Sequence, residues 1–310
     1  MIQENCRIAV VLRGRIGDLM CTWPLLNYLK RQMPSCRIHL FGEPVHRELA
    51  PLIPAIDRLW VLPMSHTQYA AGWRYGALWR GQFDMAIAAH TRPRSWVSWF
   101  LRSMGAPRQY AFVDGRRRFS QVTHPRLWNA PYEEAHHESF KLLQLVDPSI
   151  QELPAELHAR LQLPEASDAT RVTVSVSSHR AACQLSLEAM ARALNRLSGV
   201  SFAISHVPAD RARAHALAAQ LRAPAQPVET PSLHQLLQLL QSSRCVVTSE
   251  GGISHLTAAL DRPQLVLFGG TSPIQWAPLS SRAVVLAHPE DVNRIDPAHI
   301  DTALERLLHA

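Results

Sequence analysis

The sequence is short of several features that would each have named a class. It has five cysteines, Cys6, Cys21, Cys36, Cys183 and Cys245, and no C-x-x-C among them. An odd, scattered set excludes a disulfide framework and fits a reduced, cytoplasmic compartment. There is no D-x-D and no H-E-x-x-H, so metal-site signals are weak and no metal or cofactor is expected. No apolar stretch approaches the ~18–20 residues that a bilayer span needs. Met1–Asn5 lacks a basic segment followed by a long apolar run, so a secretory leader is not expected. Thirteen glycines exclude a collagen-like repeat, and 47% apolar residues exclude disorder as the main state.

Lysine is almost absent as well. Only Lys30 and Lys141 stand among 32 basic residues, so the cations are nearly all arginine. Guanidinium groups favour rigid, two-pronged anion contacts. Their placement is uneven: residues 1–160 hold 20 basic and 13 acidic residues, and residues 161–310 hold 12 of each. The whole excess of +7 therefore lies in the first half. That half is expected to meet something anionic, such as a membrane surface, a phosphorylated substrate or nucleic acid, unless it is a solvated basic surface.

What is present is an alternation of strand and helix signals, enough for two domains in 310 residues. Arg7–Leu12 is a short apolar run of the kind found in buried parallel strands. A helix is expected over 18–33, kinked or restarted at Pro24. Strands are expected over 37–41, 58–62 and 85–89, and helices over 96–104 and 132–146. Residues 147–170 carry Pro148, Pro154 and Pro164 and are expected to link the domains. The alternation then restarts. Strands are expected at 171–176, 200–205, 245–248 and 264–268. Helices are expected over 186–197, 209–221, 232–241, 252–260 and 296–308, with Ser186 and Ser232 as caps. The last helix could fold back on the first half. Two β-α-β series imply two parallel-sheet domains, here 1–155 and 170–310, facing each other across a cleft.

Two loops lie between an apolar strand and a helix: Arg13-Gly14-Arg15-Ile16-Gly17-Asp18 and Ser249-Glu250-Gly251-Gly252-Ile253-Ser254-His255. Ligands of parallel sheets bind where such loops lie. Glycine admits a phosphate close to the backbone, and the following helix offers free N–H groups. His255, in the first turn, could donate to an anion. The plain alternatives are a tight turn for Gly251-Gly252 and a helix cap for Glu250. Asp18 likewise reads either as an N-cap or as a carboxylate able to accept a proton from a substrate hydroxyl. The run Glu133-Glu134-Ala135-His136-His137-Glu138 reads as a solvated helical face rather than a metal site.

These residues resemble a known family. Ile16-Gly17-Asp18-Leu19-Met20, followed by Pro24-Leu25-Leu26 and Leu29-Lys30, resembles the N-terminal signature of the glycosyltransferase family 9 heptosyltransferases. Gly252 through Pro263 resembles the family's donor-site helix. Phe268-Gly269-Gly270-Thr271-Ser272-Pro273, with Trp276 and Pro278, resembles the loop that follows. His137-Glu138-Ser139-Phe140-Lys141-Leu142-Leu143 sits where the family has a His-led helix. The set spans nearly the whole chain in order.

The resemblance implies a GT-B fold of two Rossmann-like domains, the N-terminal one for the acceptor and the C-terminal one for the nucleotide sugar. It implies inverting, metal-independent transfer of heptose from ADP-heptose to the lipopolysaccharide core. Asp18 would be the base. Gly17, Ser178, His179, Arg180, Asp210, Glu250, Gly251, Gly252, His255 and Thr271 would hold the donor. Arg13, Arg15, Arg92, Arg94, Arg116, Arg117 and Arg118 would meet an anionic glycolipid acceptor. The cytoplasmic face of the inner membrane is the expected place, and no nucleic-acid partner is expected. Two departures stand out. Glu250 replaces the family's Asp, and Cys183 stands where the family has a Lys. A different nucleotide sugar, or a silent nucleotide-sugar-binding protein, is the alternative, and Arg180 is the expected substitute cation.

Overall fold

A computed structural model describes residues 6–62, 69–114, 122–164, 168–178 and 180–309. The chain divides into two compact units, Met1–His158 and Ala159–Ala310. The first holds strands β1 (Arg7–Val11), β2 (Arg37–Gly42), β3 (Arg58–Val61), β4 (Met85–Ala88), β5 (Arg108–Val113) and β6 (His124–Leu127). Its helices are α1 (Ile16–Gln32), α2 (Tyr69–Ala77), α3 (Ser95–Met104), α4 (Ala130–Glu134) and α5 (Glu138–Val146). The strands pair in parallel in the order β3-β2-β1-β4-β5-β6.

The second unit repeats this plan. It has β7 (Asp168–Ser175), β8 (Ser201–His206), β9 (Ala225–Glu229), β10 (Ser243–Ser249), β11 (Gln264–Gly269) and β12 (Ala283–His288). Helices α6 (Leu187–Leu194), α7 (Arg211–Ala218), α8 (Leu233–Ser242), α9 (Gly252–Ala259), α10 (Pro273–Trp276) and α11 (Pro297–His309) flank them. The order β12-β11-β10-β7-β8-β9, again all parallel, is the doubly wound arrangement of the first unit. In each sheet the winding reverses beside its first strand: between β1 and β4, and between β7 and β10. Those reversals leave crevices at the strand ends, where such folds bind ligands.

The central strands form because continuous apolar runs can be buried on both faces. Ile8, Ala9, Val10 and Val11 are fully buried, as are Leu265, Val266, Leu267 and Phe268. Several boundaries differ from expectation. Helix α1 starts at Ile16 and runs through Pro24, so Asp18 is its third residue and not its N-cap. The helix expected over 132–146 is two, α4 and α5, with the break at Ala135–His137 and His137 Nδ1 accepting from the Ser139 N–H to cap α5. The 147–170 stretch is not a free linker throughout. Tyr28 donates to Asp147 at 2.5 Å, Asn27 to the Leu157 carbonyl at 3.0 Å, and Arg31 pairs with Glu156 at 2.7 Å, which fastens its first part to α1. The closing helix α11 buries Ile300, Ala303, Leu304 and Leu307 in the core of its own unit.

Candidate functional site

At the first crevice, the loop after β1 is held from three sides. The Arg13 N–H donates to His90 Nε2 at 3.0 Å, joining the ends of β1 and β4. The His90 ring lies edge-on to Trp96, over whose face the Arg13 guanidinium rests 5.0 Å from the centroid. Arg13 Nε also pairs with Glu43 at 2.8 Å. From the turn after β2, His46 Nδ1 accepts from the Glu43 N–H at 3.0 Å, so its proton is on Nε2, which faces the Arg15 carbonyl at 3.3 Å. Both rings are buried and neutral. Burial lowers the pKa of His46, and burial, with Arg94 and Arg13 nearby, pushes that of His90 down to about 3.

Asp18 sits inside this frame. Its Oδ2 accepts from the Arg15 N–H at 2.7 Å, closing the first turn of α1 in the manner of a capping box. Its backbone carbonyl accepts from Thr22 Oγ1 at 2.8 Å. Burial raises its pKa above 3.8, against the backbone N–H groups of Arg15 and Asp18 and the electrostatic influence of His46 and Arg94, which lower it. A desolvated, fixed carboxylate with a raised pKa has the properties of a general base.

The arginines expected here fall into distinct groups. Arg15, Arg92 and Arg94 are exposed, and Arg94 acts electrostatically on Asp18. Arg13 is buried and engaged by Glu43 and Trp96, so its guanidinium braces the loop. Arg116, Arg117 and Arg118 lie outside the described residues, as does His179. The Glu133–Glu138 run is only in part the solvated face its charges suggested: Glu134 is exposed, but the two ends are not. Glu133 and Glu138 are 1% and 5% exposed. Arg126 pairs with Glu133 at 3.3 Å and Lys141 with Glu138 at 2.5 Å, so the charges are balanced inside the fold. Thr91 also donates to Glu138, which ties the loop bearing Arg92 and Arg94 to α5.

The second crevice is built from the ends of β7, β10 and β11. Gly251 has φ +148°, a conformation open only to glycine, and α9 starts at the next residue. The Gly251 and Gly252 backbone thus lies at a helix N-terminus. Glu250 is half-buried and accepts from Thr271 Oγ1 at 3.3 Å. His255 is buried at 6% exposure within α9, and Asp210 lies half-buried just before α7. Ser178 Oγ accepts from the Arg180 N–H at 3.3 Å, and the Arg180 side chain is exposed.

Cys183, expected from the resemblance to stand at a lysine position, does not face solvent. Its side chain is buried, and Sγ donates to the Gly269 carbonyl at 2.9 Å. Its carbonyl accepts from Ser249 Oγ at 2.5 Å. Burial raises the thiol pKa, so it is neutral. Gly269 is obligatory for this contact, because a Cβ there would lie 1.8 Å from the Ala182 carbonyl oxygen. Cys183 therefore pins the 180–183 segment to the ends of β10 and β11. His46, His90 and Glu43 were not singled out from sequence. Among the described residues no cluster of three or more His, Cys, Asp or Glu could hold a metal ion, and none of their helices is long and apolar enough to cross a membrane.

Two six-stranded parallel sheets of the same winding, each flanked by helices, give the GT-B fold. The chain belongs to glycosyltransferase family 9, the heptosyltransferase family, whose model matches residues 75–296. It is 22% identical to lipooligosaccharide heptosyltransferase 2 of Haemophilus influenzae, over 90% of this chain and 88% of that one. Its fold is similar to the crystal structure of a family 9 glycosyltransferase from Veillonella parvula, with TM-score 0.84 at 15% identity, covering 100% of this chain and 98% of that one. It is also similar to the E. coli heptosyltransferase WaaC solved with ADP, with TM-score 0.74 at 17% identity, covering 97% and 99%.

Proposed function

We propose that this glycosyltransferase moves heptose from ADP-heptose to an anionic lipopolysaccharide core acceptor, with inversion and without a metal ion. The observation that carries the reading is Asp18, desolvated and oriented at the crevice between β1 and β4 with Arg94 acting on it. Asp18 takes the proton of the acceptor hydroxyl as that oxygen attacks the anomeric carbon. The bond to the diphosphate breaks on the opposite side, so the anomeric configuration inverts. The leaving ADP is stabilised by backbone N–H groups at Gly251 and Gly252 and by the Arg180 guanidinium, which supplies the cation that Cys183 does not. His255, Ser178, His179, Asp210, Glu250 and Thr271 complete the donor side, with Gly17 at the start of α1. Each preorganised donor at a developing charge is worth ~3–4 kcal/mol in the transition state.

The acceptor is the anionic glycolipid for which an arginine-rich first half is suited, through Arg15, Arg92, Arg94 and the Arg116–Arg118 cluster, with Arg13 bracing the loop. It would be met at the cytoplasmic face of the inner membrane. The buried, neutral thiol at Cys183 favours a second reading, a donor other than ADP-heptose or a binding protein without turnover. The test is a thermal-shift panel of ADP, UDP, GDP and CMP with their sugars, followed by transfer assays in excess EDTA. A ligand at 100 times its Kd adds about 2.7 kcal/mol of stability. ADP-heptose should give the largest shift and EDTA-resistant transfer. A larger shift with another nucleotide sugar would move the donor assignment, and binding without transfer or slow donor hydrolysis would support the silent reading.

A further inference from the structure

Helices α2 and α3 lie against each other because Gly76 leaves room. A Cβ on Gly76 would come within 2.0 Å of Ser103 Oγ and 2.4 Å of the Phe100 carbonyl oxygen. Their inner sides carry Tyr75, Trp96, Phe100 and Met104 into the core of the first unit. Their outer sides are not what a solvated surface needs. Trp73 is 44% exposed and packs edge-on against the partly exposed Trp99 at 5.7 Å, and Leu78, just past the end of α2, is 69% exposed. Arg74, Arg80 and Arg102 stand on or beside the same helices, all exposed. None of the three makes an ion pair among the described residues. From Tyr69 to Gly105 there are five arginines and one acid, Asp84, which accepts from the Arg7 N–H at 2.8 Å.

Indole rings beside exposed guanidinium groups suit a bilayer surface. Tryptophan settles at the boundary between headgroups and acyl chains, and arginine lays its stem on apolar surface while its head meets lipid phosphate. A protein partner would need a matching acidic face, whereas an anionic bilayer supplies negative charge without one. We propose that the α2–α3 face docks on an anionic phospholipid surface, with Trp73 and Leu78 entering the interface and Arg74, Arg80 and Arg102 binding headgroups. This deepens the reading of a membrane-held acceptor. The flotation that tests it uses neither donor nor acceptor, so each reading can fail alone.

The experiment is flotation of the full chain with vesicles of phosphatidylcholine alone or mixed with phosphatidylglycerol. Wild type should float with the mixed vesicles and not with the neutral ones, and less so as salt rises. Trp73→Ser combined with Leu78→Ser should abolish flotation while leaving transfer to a soluble, delipidated acceptor unchanged. Each Arg→Ser change should weaken vesicle partitioning roughly fivefold and flatten the salt dependence. Failure of wild type to float on anionic vesicles, or undiminished flotation of the double variant, would overturn the proposal. So would a wild-type dimer in sedimentation that the double variant splits, since the face would then be a protein interface.

Discussion

The carboxylate of Asp18 lies directly over the backbone of Gly14. A Cβ built on Gly14 would come within 2.6 Å of both Cγ and Oδ2 of Asp18, and within 2.8 Å of its Cβ. The clash is with a short side chain held by the Arg15 N–H, so it cannot be relieved by swinging a flexible end away. Gly14→Ala should therefore displace the carboxylate. A misplacement of about 1 Å in a reacting group costs on the order of 10²-fold in rate. The expected outcome is a fall of that size in kcat, with nucleotide thermal shifts unchanged. Normal transfer by the alanine variant would separate Asp18 from the chemistry.

Asp18→Asn should abolish transfer and leave donor binding near wild type, since an amide oxygen can still accept from the Arg15 N–H. The pH dependence has a definite sign. The folded-state pKa is raised by burial, so ionising Asp18 costs stability as pH rises through that pKa. At neutral pH, Asp18→Asn should melt at or above the wild-type temperature. The gain should vanish as pH falls below the ordinary carboxylate range near 3.8, where both states hold the proton. Wild-type kcat/KM should fall on acidification with an apparent pKa above that range. A variant that melts well below wild type at neutral pH would make Asp18 a structural residue.

His90 gives the opposite dependence. Its ring is neutral in the folded state with a pKa of about 3, against 6.5 when exposed. The stability it contributes is present above pH 6.5 and is lost as pH falls through that interval toward 3. His90→Gln, which keeps an acceptor for the Arg13 N–H, should make the melting temperature less sensitive to acid between those limits. Equal acid sensitivity in both proteins would mean that another group carries the acid limb.

Much of this was legible because the relevant signals are local. The central strands announce themselves as Ile-Ala-Val-Val and Leu-Val-Leu-Phe, and both crevice loops by glycine beside an apolar strand. Edge strands were harder. β6 reads His-Pro-Arg-Leu and β9 reads Ala-Gln-Pro-Val-Glu, and each lies at a sheet edge, where a proline does not break a ladder on both sides. His46 and His90 were missed for a different reason. They reach the Asp18 loop from 31 and 77 residues away, and in a chain with 16 histidines nothing local distinguishes them. The Glu133–Glu138 run misled because charge alone does not reveal that Arg126, Lys141 and Thr91 are waiting inside the fold to balance it.

The last prediction concerns the donor loop. A diphosphate leaving group needs cationic help beyond one helix terminus, which contributes about half a charge. Cys183 cannot give it. Its thiol is buried and neutral, and donates to the Gly269 carbonyl. Arg180 stands exposed three residues earlier in the same loop, so Arg180→Ala should lower kcat/KM by roughly 10²–10³-fold. The geometry changes what is expected at Cys183 itself. Restoring the family's lysine there would force an ammonium group into a site closed by Gly269, Ser249 and Ala182, so Cys183→Lys should destabilise the second unit and fail to rescue Arg180→Ala. Cys183→Ser keeps a donor to the Gly269 carbonyl and should retain most activity. Cys183→Ala should cost stability by about 1–3 kcal/mol through the small cavity and the lost hydrogen bond. Thermal melts alongside donor KM separate the two roles: loss at Arg180 with melting unchanged marks the cation, and loss of melting temperature at Cys183 with donor KM little changed marks the staple. Rescue of Arg180→Ala by Cys183→Lys would show that the thiol position faces the phosphates after all.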